Sequence, residues 1–134
     1  MAGDLAAFFN RELDGVPLCW PVEPEEFGRA VEAWPGEKAQ LANPRALVVE
    51  SGGAPEGFAL AADRVDDEVQ APAGAIAFLL YRRGNRRAGQ SLLESLHRQF
   101  ADDGIDDVVA FHQDHRFSAY HALNAFCSDG LDHL

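Results

Sequence analysis

Hydrophobic and polar positions alternate along the chain with two periods, about 3.6 residues for helices and two for strands. In residues 3–13, Leu5, Phe8, Phe9 and Leu13 share one helical face, with Asp4 as an early acid or cap. Asp14-Gly15 signals a turn, and residues 16–22 form a short apolar piece broken by Pro17 and Pro21, an edge strand at best. Pro24-Glu25-Glu26 opens a second helix whose stripe is Phe27, Val31 and Trp34, and Pro35-Gly36 stops it. Residues 36–44 read as loop with at most one helical turn. Two aliphatic runs, 45–50 and 56–62, flank a glycine-rich turn and predict an antiparallel hairpin, followed by an acidic connection over 63–70.

The second half opens on a continuous apolar run, 75–81, the mark of a strand buried on both faces. From Ala88 the period becomes helical, with Leu92, Leu93, Leu96 and Phe100 as the stripe of a helix over 88–101 that ends near Gly104. Residues 106–111 predict another buried strand, close behind its helix, so the pair of strands should be parallel with a right-handed crossover. A last helix over 115–126 carries Phe117, Tyr120, Leu123 and Phe126, and residues 131–134 form a final short strand. The expected fold is a single α/β (α+β) domain over residues 1–134: a mixed, mostly antiparallel central sheet flanked by helices, splaying at its central parallel pair. A chain of 134 residues suffices for one core.

Charge changes this picture at one place. The formal net charge is -11, which argues against a general nucleic-acid surface. Against that background Arg82, Arg83, Arg86 and Arg87 crowd into six positions between the 75–81 strand and the helix after it, with Gly84 and Gly89 among them. A helix N-terminus beside concentrated positive charge is an anion-binding arrangement, and phosphate is its usual occupant. The bland alternative is a solvated loop pairing with the many carboxylates. No apolar run approaches the ~18 residues of a membrane span, and the N-terminus lacks the pattern of a signal peptide, so a cytoplasmic setting is expected. Cys19 and Cys127 are far apart and read as buried free thiols. The spacing of His112, His115 and His121 across a strand end, a loop and a helix is not that of a metal site, and no metal is expected.

The segment Arg82–Leu96, RRGNRRAGQSLLESL, resembles the pyrophosphate loop and following helix of the GNAT superfamily, the acetyl-CoA-dependent N-acyltransferases, whose signature is Q/R-x-x-G-x-G/A before an aliphatic helix. The segment Val108–Phe126 is similar to that family's next strand and helix, and EGFALAA at 56–62 is typical of its hairpin. The chain departs from the signature where Gly84 takes the place of Gln or Arg and Arg87 that of the middle glycine. The resemblance implies that Arg82, Arg83, Gly84, Arg86, Arg87, Ala88, Gly89, Gln90 and Ser91 hold the diphosphate of acetyl-CoA or another acyl-CoA. It also implies a small-molecule or peptide amine as acceptor.

Acyl transfer to an amine needs a proton for the leaving thiolate, and Tyr120 or His121 would supply it. Counting by residue type selects Tyr120, and counting back from Phe126 selects His121. A core aromatic and a surface histidine are the plain alternatives. Glu50 and Glu56 at the hairpin, or water, are candidate bases. The acidic surface would favour a cationic amine. The chain stops where the family continues into a last hairpin strand, so an incomplete sheet edge implies a homodimer or another cover. The alternative function is a catalytically inactive module of this fold, serving as an acyl-CoA sensor or an interaction domain.

Overall fold

A computed structural model describes residues 2–15, 20–36, 40–65, 71–111 and 117. The order is α1 (Ala2–Glu12), α2 (Pro24–Ala33), β1 (Leu41–Ser51), β2 (Ala54–Arg64), β3 (Ala73–Tyr81), α3 (Arg86–Asp102) and β4 (Asp107–Ala110). The strands form one sheet in the order β1-β2-β3-β4, antiparallel except for the parallel pair β3–β4. The expected mixed, mostly antiparallel α/β architecture is therefore present. The expected helix over 115–126 and strand over 131–134 lie outside the described residues except for Phe117, and so do residues 16–19 of the proline-broken piece.

Local chemistry accounts for the elements. Gly52 and Gly53 take φ of 59° and 80°, the paired positive values that a two-residue hairpin turn requires, and Ser51 faces Ala54 across it. Asn10 fastens α1 to the chain leading into α2: its Nδ2 donates to the Val22 carbonyl at 2.9 Å, and the Val22 N–H donates to its Oδ1 at 2.8 Å. The sheet buries both faces. On one, α1 and α2 cover an aromatic cluster of Phe9, Phe27, Phe58, Phe78 and Phe117 with ring centroids 5.3–6.4 Å apart. On the other, α3 lays Leu92, Leu96 and Phe100 against Ala59, Ala61 and Ile76.

Several expectations are corrected. β1 begins at Leu41, inside the stretch expected to be loop, because Asn43 (φ 53°) and Pro44 are taken up in a bulge where the register shifts between Ala42 and Arg45. Leu93 is 43% exposed and leaves the buried stripe of α3 to Leu92, Leu96 and Phe100, joined by Ala88 and Gly89. α3 starts two residues early, at Arg86, since Asn85 caps it. β4 is half-buried at Val108 and Val109 rather than fully buried, and the parallel pair is at the edge of the described sheet.

β3 changes register just beyond its parallel pairing. β3 pairs with β4 only from Ala73 to Ile76, and the Phe111 N–H adds a last bond to the Ile76 carbonyl at 2.7 Å. Immediately beyond, Ala77 is an extra residue opposite the Leu60–Ala61 step of β2, where the register jumps from Ile76 to Phe78. A bulge bends its strand and adds twist. Residues 77–81 thus continue along β2 without a parallel neighbour among the described residues.

Arg45 ties the hairpin to the end of α3. Its Nη1 donates to Asp63 Oδ1 at 2.8 Å, its Nη2 to Asp103 Oδ2 at 2.7 Å, and its guanidinium lies 4.5 Å from the centre of the Phe100 ring. Burial works to lower its pKa, and hydrogen bonds and charge from Asp63 and Asp103 outweigh it, so the pKa stands above the ordinary value. Phe100, held from above in this way, is also pressed by the backbone of Gly74, where a Cβ would come within 2.5 Å of the ring. Gly74→Ala is expected to destabilise the fold by about 1–3 kcal/mol, the cost of overpacking a buried ring that has nowhere to go. Urea denaturation tests this, and a loss below about 0.5 kcal/mol would contradict the packing.

Candidate functional site

The turn after β3 is built from short-range bonds. The Arg82 N–H donates to the Glu56 carbonyl at 2.8 Å, which keeps the end of β3 on β2. The Asn85 N–H donates to the Arg82 carbonyl at 2.8 Å and closes a four-residue turn, with Gly84 at φ 88° in its third position. That position of a type II turn requires positive φ, so the glycine serves the turn. Asn85 then caps α3, its Oδ1 accepting from the Ala88 N–H at 3.3 Å. The next two N–H groups, of Arg86 and Arg87, have no acceptor among the described residues.

The structure sorts the nine residues of the expected diphosphate site. Arg83, Arg86 and Arg87 are exposed and carry no ion pair among the described residues. Cations at the N-terminus of a helix oppose its dipole, so Arg86 and Arg87 are placed against the interest of helix stability. Arg82 donates through Nη1 to Glu56 Oε1 at 3.1 Å. Ala88 and Gly89 face inward. A Cβ at Gly89 would lie 2.7 Å from the Tyr81 ring, so this glycine admits the ring between β3 and α3. Gln90 and Ser91 are exposed one turn further along. Tyr120 and His121, with His112 and His115, lie outside the described residues.

Beside the turn is a cleft of about 350 Å³. Leu13, Phe78, Leu80 and Phe111 give it apolar walls; Arg83, Gly84 and Arg86 line it from the turn, and Glu12 from α1. A second cavity of about 380 Å³ shares Glu12 and Arg83 with the first and is otherwise lined by Arg11, Arg82, Glu56 and the β1–β2 turn. A cleft with apolar walls beside a cationic helix N-terminus can take a ligand with an anionic group and an apolar part. Of the candidate bases, Glu56 lines the second cavity and Glu50 lines neither.

Sequence reading overlooked Glu12. Its signal was available: Glu12 falls seven residues after Leu5 and four after Phe8, on the buried stripe of α1, and is 9% exposed. Among the described residues no group of three or more His, Cys, Asp or Glu could hold a metal ion, and no helix is long and apolar enough to cross a membrane.

No protein-family model matches the chain, and no curated protein matches it by sequence. Solved structures do match. The ribosomal-protein-alanine N-acetyltransferase of Brucella melitensis biovar Abortus 2308 superposes with a TM-score of 0.56 at 15% identity, over 81% of this chain and 70% of that one. An integron cassette protein from the mobile metagenome of Cole Harbour Salt Marsh gives 0.58 at 14%, over 84% and 70%. An aminoglycoside acetyltransferase from an uncultured soil metagenomic sample, in complex with sisomicin, gives 0.56 at 13%, over 94% and 76%. At such identities the likeness is one of fold. With helices α1 and α2 on one face of a mostly antiparallel sheet, and a strand–basic turn–helix–strand unit opening it, the chain has the GNAT-like fold of the acyl-CoA N-acyltransferases.

Proposed function

We propose that the protein is an acyl-CoA-dependent N-acyltransferase, with acetyl-CoA as the foremost donor and a small-molecule or peptide amine as acceptor, working in the cytoplasm. The observation that carries this reading is the coincidence of three features at one corner: N–H groups of Arg86 and Arg87 and guanidinium groups of Arg83, Arg86 and Arg87 that have no partner among the described residues, and a 350 Å³ cleft beside them. An acyl-CoA bound there supplies an activated thioester carbonyl.

The chain's own residues then have separate tasks. The Arg86 and Arg87 N–H groups donate to the diphosphate, and the exposed Arg83, Arg86 and Arg87 balance its charge. Gly84 holds the turn in the shape that directs them. Gln90 and Ser91 extend the polar surface along the next turn of α3. Arg82, Ala88 and Gly89 support the site from behind, through Glu56, Gly57 and Tyr81. Leu13, Phe78, Leu80 and Phe111 keep water from the arm. Tyr120 or His121 protonates the leaving thiolate.

Two measurements test the reading. Acetyl-CoA at 100 times its Kd should raise the stability of the folded protein by about 2.7 kcal/mol. A melting temperature that stays flat with acetyl-CoA, succinyl-CoA and free CoA would sink the proposal. Tyr120→Phe is expected to lower turnover about 100-fold or more while leaving CoA affinity unchanged, as for a lost general acid. If turnover survives in Tyr120→Phe and falls in His121→Ala, the role passes to the histidine.

A further inference from the structure

Among the described residues Glu12 is the buried charged side chain, 9% exposed at the end of α1. Among the described residues its side chain makes no hydrogen bond. Its Oε1 lies 3.8 Å from Arg11 Nε, beyond hydrogen-bond length. A carboxylate on a mostly buried side chain gains by meeting a cation or good donors. Both cavities open onto it.

The charges around the second cavity are sorted by depth. Its carboxylates are the sheltered groups, with side chains 10% exposed at Glu12 and 13% at Glu56. Its arginines are the outer ones, 60% exposed at Arg11 and 59% at Arg82, with Arg83 exposed beside them. Glu56 is occupied by Arg82; Glu12 and Arg11 form only a loose ion pair at 3.8 Å, and Arg83 has no ion pair among the described residues.

We infer that the second cavity takes a zwitterionic acceptor of the α-amino acid class, its ammonium on Glu12 and its carboxylate on Arg11, with Arg83 left to the diphosphate; this rests on the acyltransferase reading. The net charge of -11 points instead to a polycation. That attraction is a long-range effect, screened beyond about 10 Å in ordinary salt, and inside the cavity a second ammonium would meet arginines. Glu12 lines the wall common to both cavities, so an amine held on it stands at the boundary of the donor cleft.

The test is calorimetric titration of the intact chain, saturated with free CoA, against the standard α-amino acids, their carboxamides and spermidine. Some free amino acids should bind, with their carboxamides and spermidine about tenfold weaker or more, the loss expected when a charge-assisted contact goes. Glu12→Gln should weaken the best amino acid about tenfold or more, and by more than it changes CoA affinity. The inference is overturned if no amino acid binds, if spermidine or the carboxamides bind as tightly, or if Glu12→Gln changes nothing. Should that variant not fold, the ligand series on the unaltered chain decides alone. Absent CoA binding removes the acyltransferase reading and this inference together; retained CoA binding with the wrong ligand order removes only the inference.

Discussion

Phe117→Ala is expected to cost about 3–5 kcal/mol of folding free energy, the largest single-residue effect we anticipate in this protein. Phe117 is fully buried, and its ring lies 5.4 Å from that of Phe78, 5.8 Å from Phe27 and 6.4 Å from both Phe9 and Phe58. Four neighbouring rings, contributed by α1, α2, β2 and β3, cannot all close on the space a methyl group leaves, so a cavity persists and the dispersion contacts are lost. Since a domain of this kind holds about 5–15 kcal/mol in total, about a fifth of the stability or more should disappear. Urea denaturation with an unchanged slope is the measurement. Leu93→Ala is the control: that side chain is 43% exposed and its loss should stay within about 0.5 kcal/mol. A Phe117→Ala cost below 1 kcal/mol would show that the five rings do not pack as described.

The second large effect separates binding from folding. Replacing both Arg86 and Arg87 by glutamate should weaken CoA about 100-fold or more, because two charge-assisted contacts of about 1.5–3 kcal/mol each are removed and the diphosphate then meets negative charge. Stability should move the other way. Neither arginine has an ion-pair partner among the described residues, and both stand at the start of α3. Acids there complement the helix dipole where arginines oppose it, by about 0.3–1 kcal/mol each at an exposed site. A variant that binds CoA as tightly as the unaltered chain refutes the site. One that loses binding together with stability assigns the arginines to the fold. The proposed outcome is lost affinity with a melting temperature that holds or rises.

Short-range signals in the chain foretold much of this. Gly52-Gly53 between two aliphatic runs announces a hairpin, because consecutive positive φ values are cheap only for such residues. The helices α1 and α2 follow from the spacing of Leu5, Phe8, Phe9 and Phe27, and from Pro24 with its two acids. The strand, basic turn and helix could be read before any coordinates, since their signals lie within a few consecutive residues; that the corner takes a phosphate is the proposal.

Other features depend on residues distant in sequence. Gly89, which a signature would assign to the ligand, is a glycine because Tyr81 fills the space of its Cβ, and Gly74 is one because of Phe100. Nothing beside Arg45 in sequence points to its placement between Asp63 and Asp103 over an aromatic ring. Leu93 fits the helical period as well as Leu92 does, yet a stripe only about 100° wide reaches the sheet and Leu93 falls outside it.

From its order of residues alone this protein was determined to be an α/β chain with a hairpin, a parallel pair and a basic turn before a helix, because periodicity, glycine conformation and helix capping act over a few neighbouring positions. The tertiary structure alone decided that Ala77, in a run of similar apolar residues, would bulge just beyond the last residue paired with β4, and that Glu12 and the β1–β2 turn would meet the arginines around a second cavity. Both depend on which backbone lies opposite which, and register between strands and packing between layers are set by the whole set of contacts rather than by any one segment.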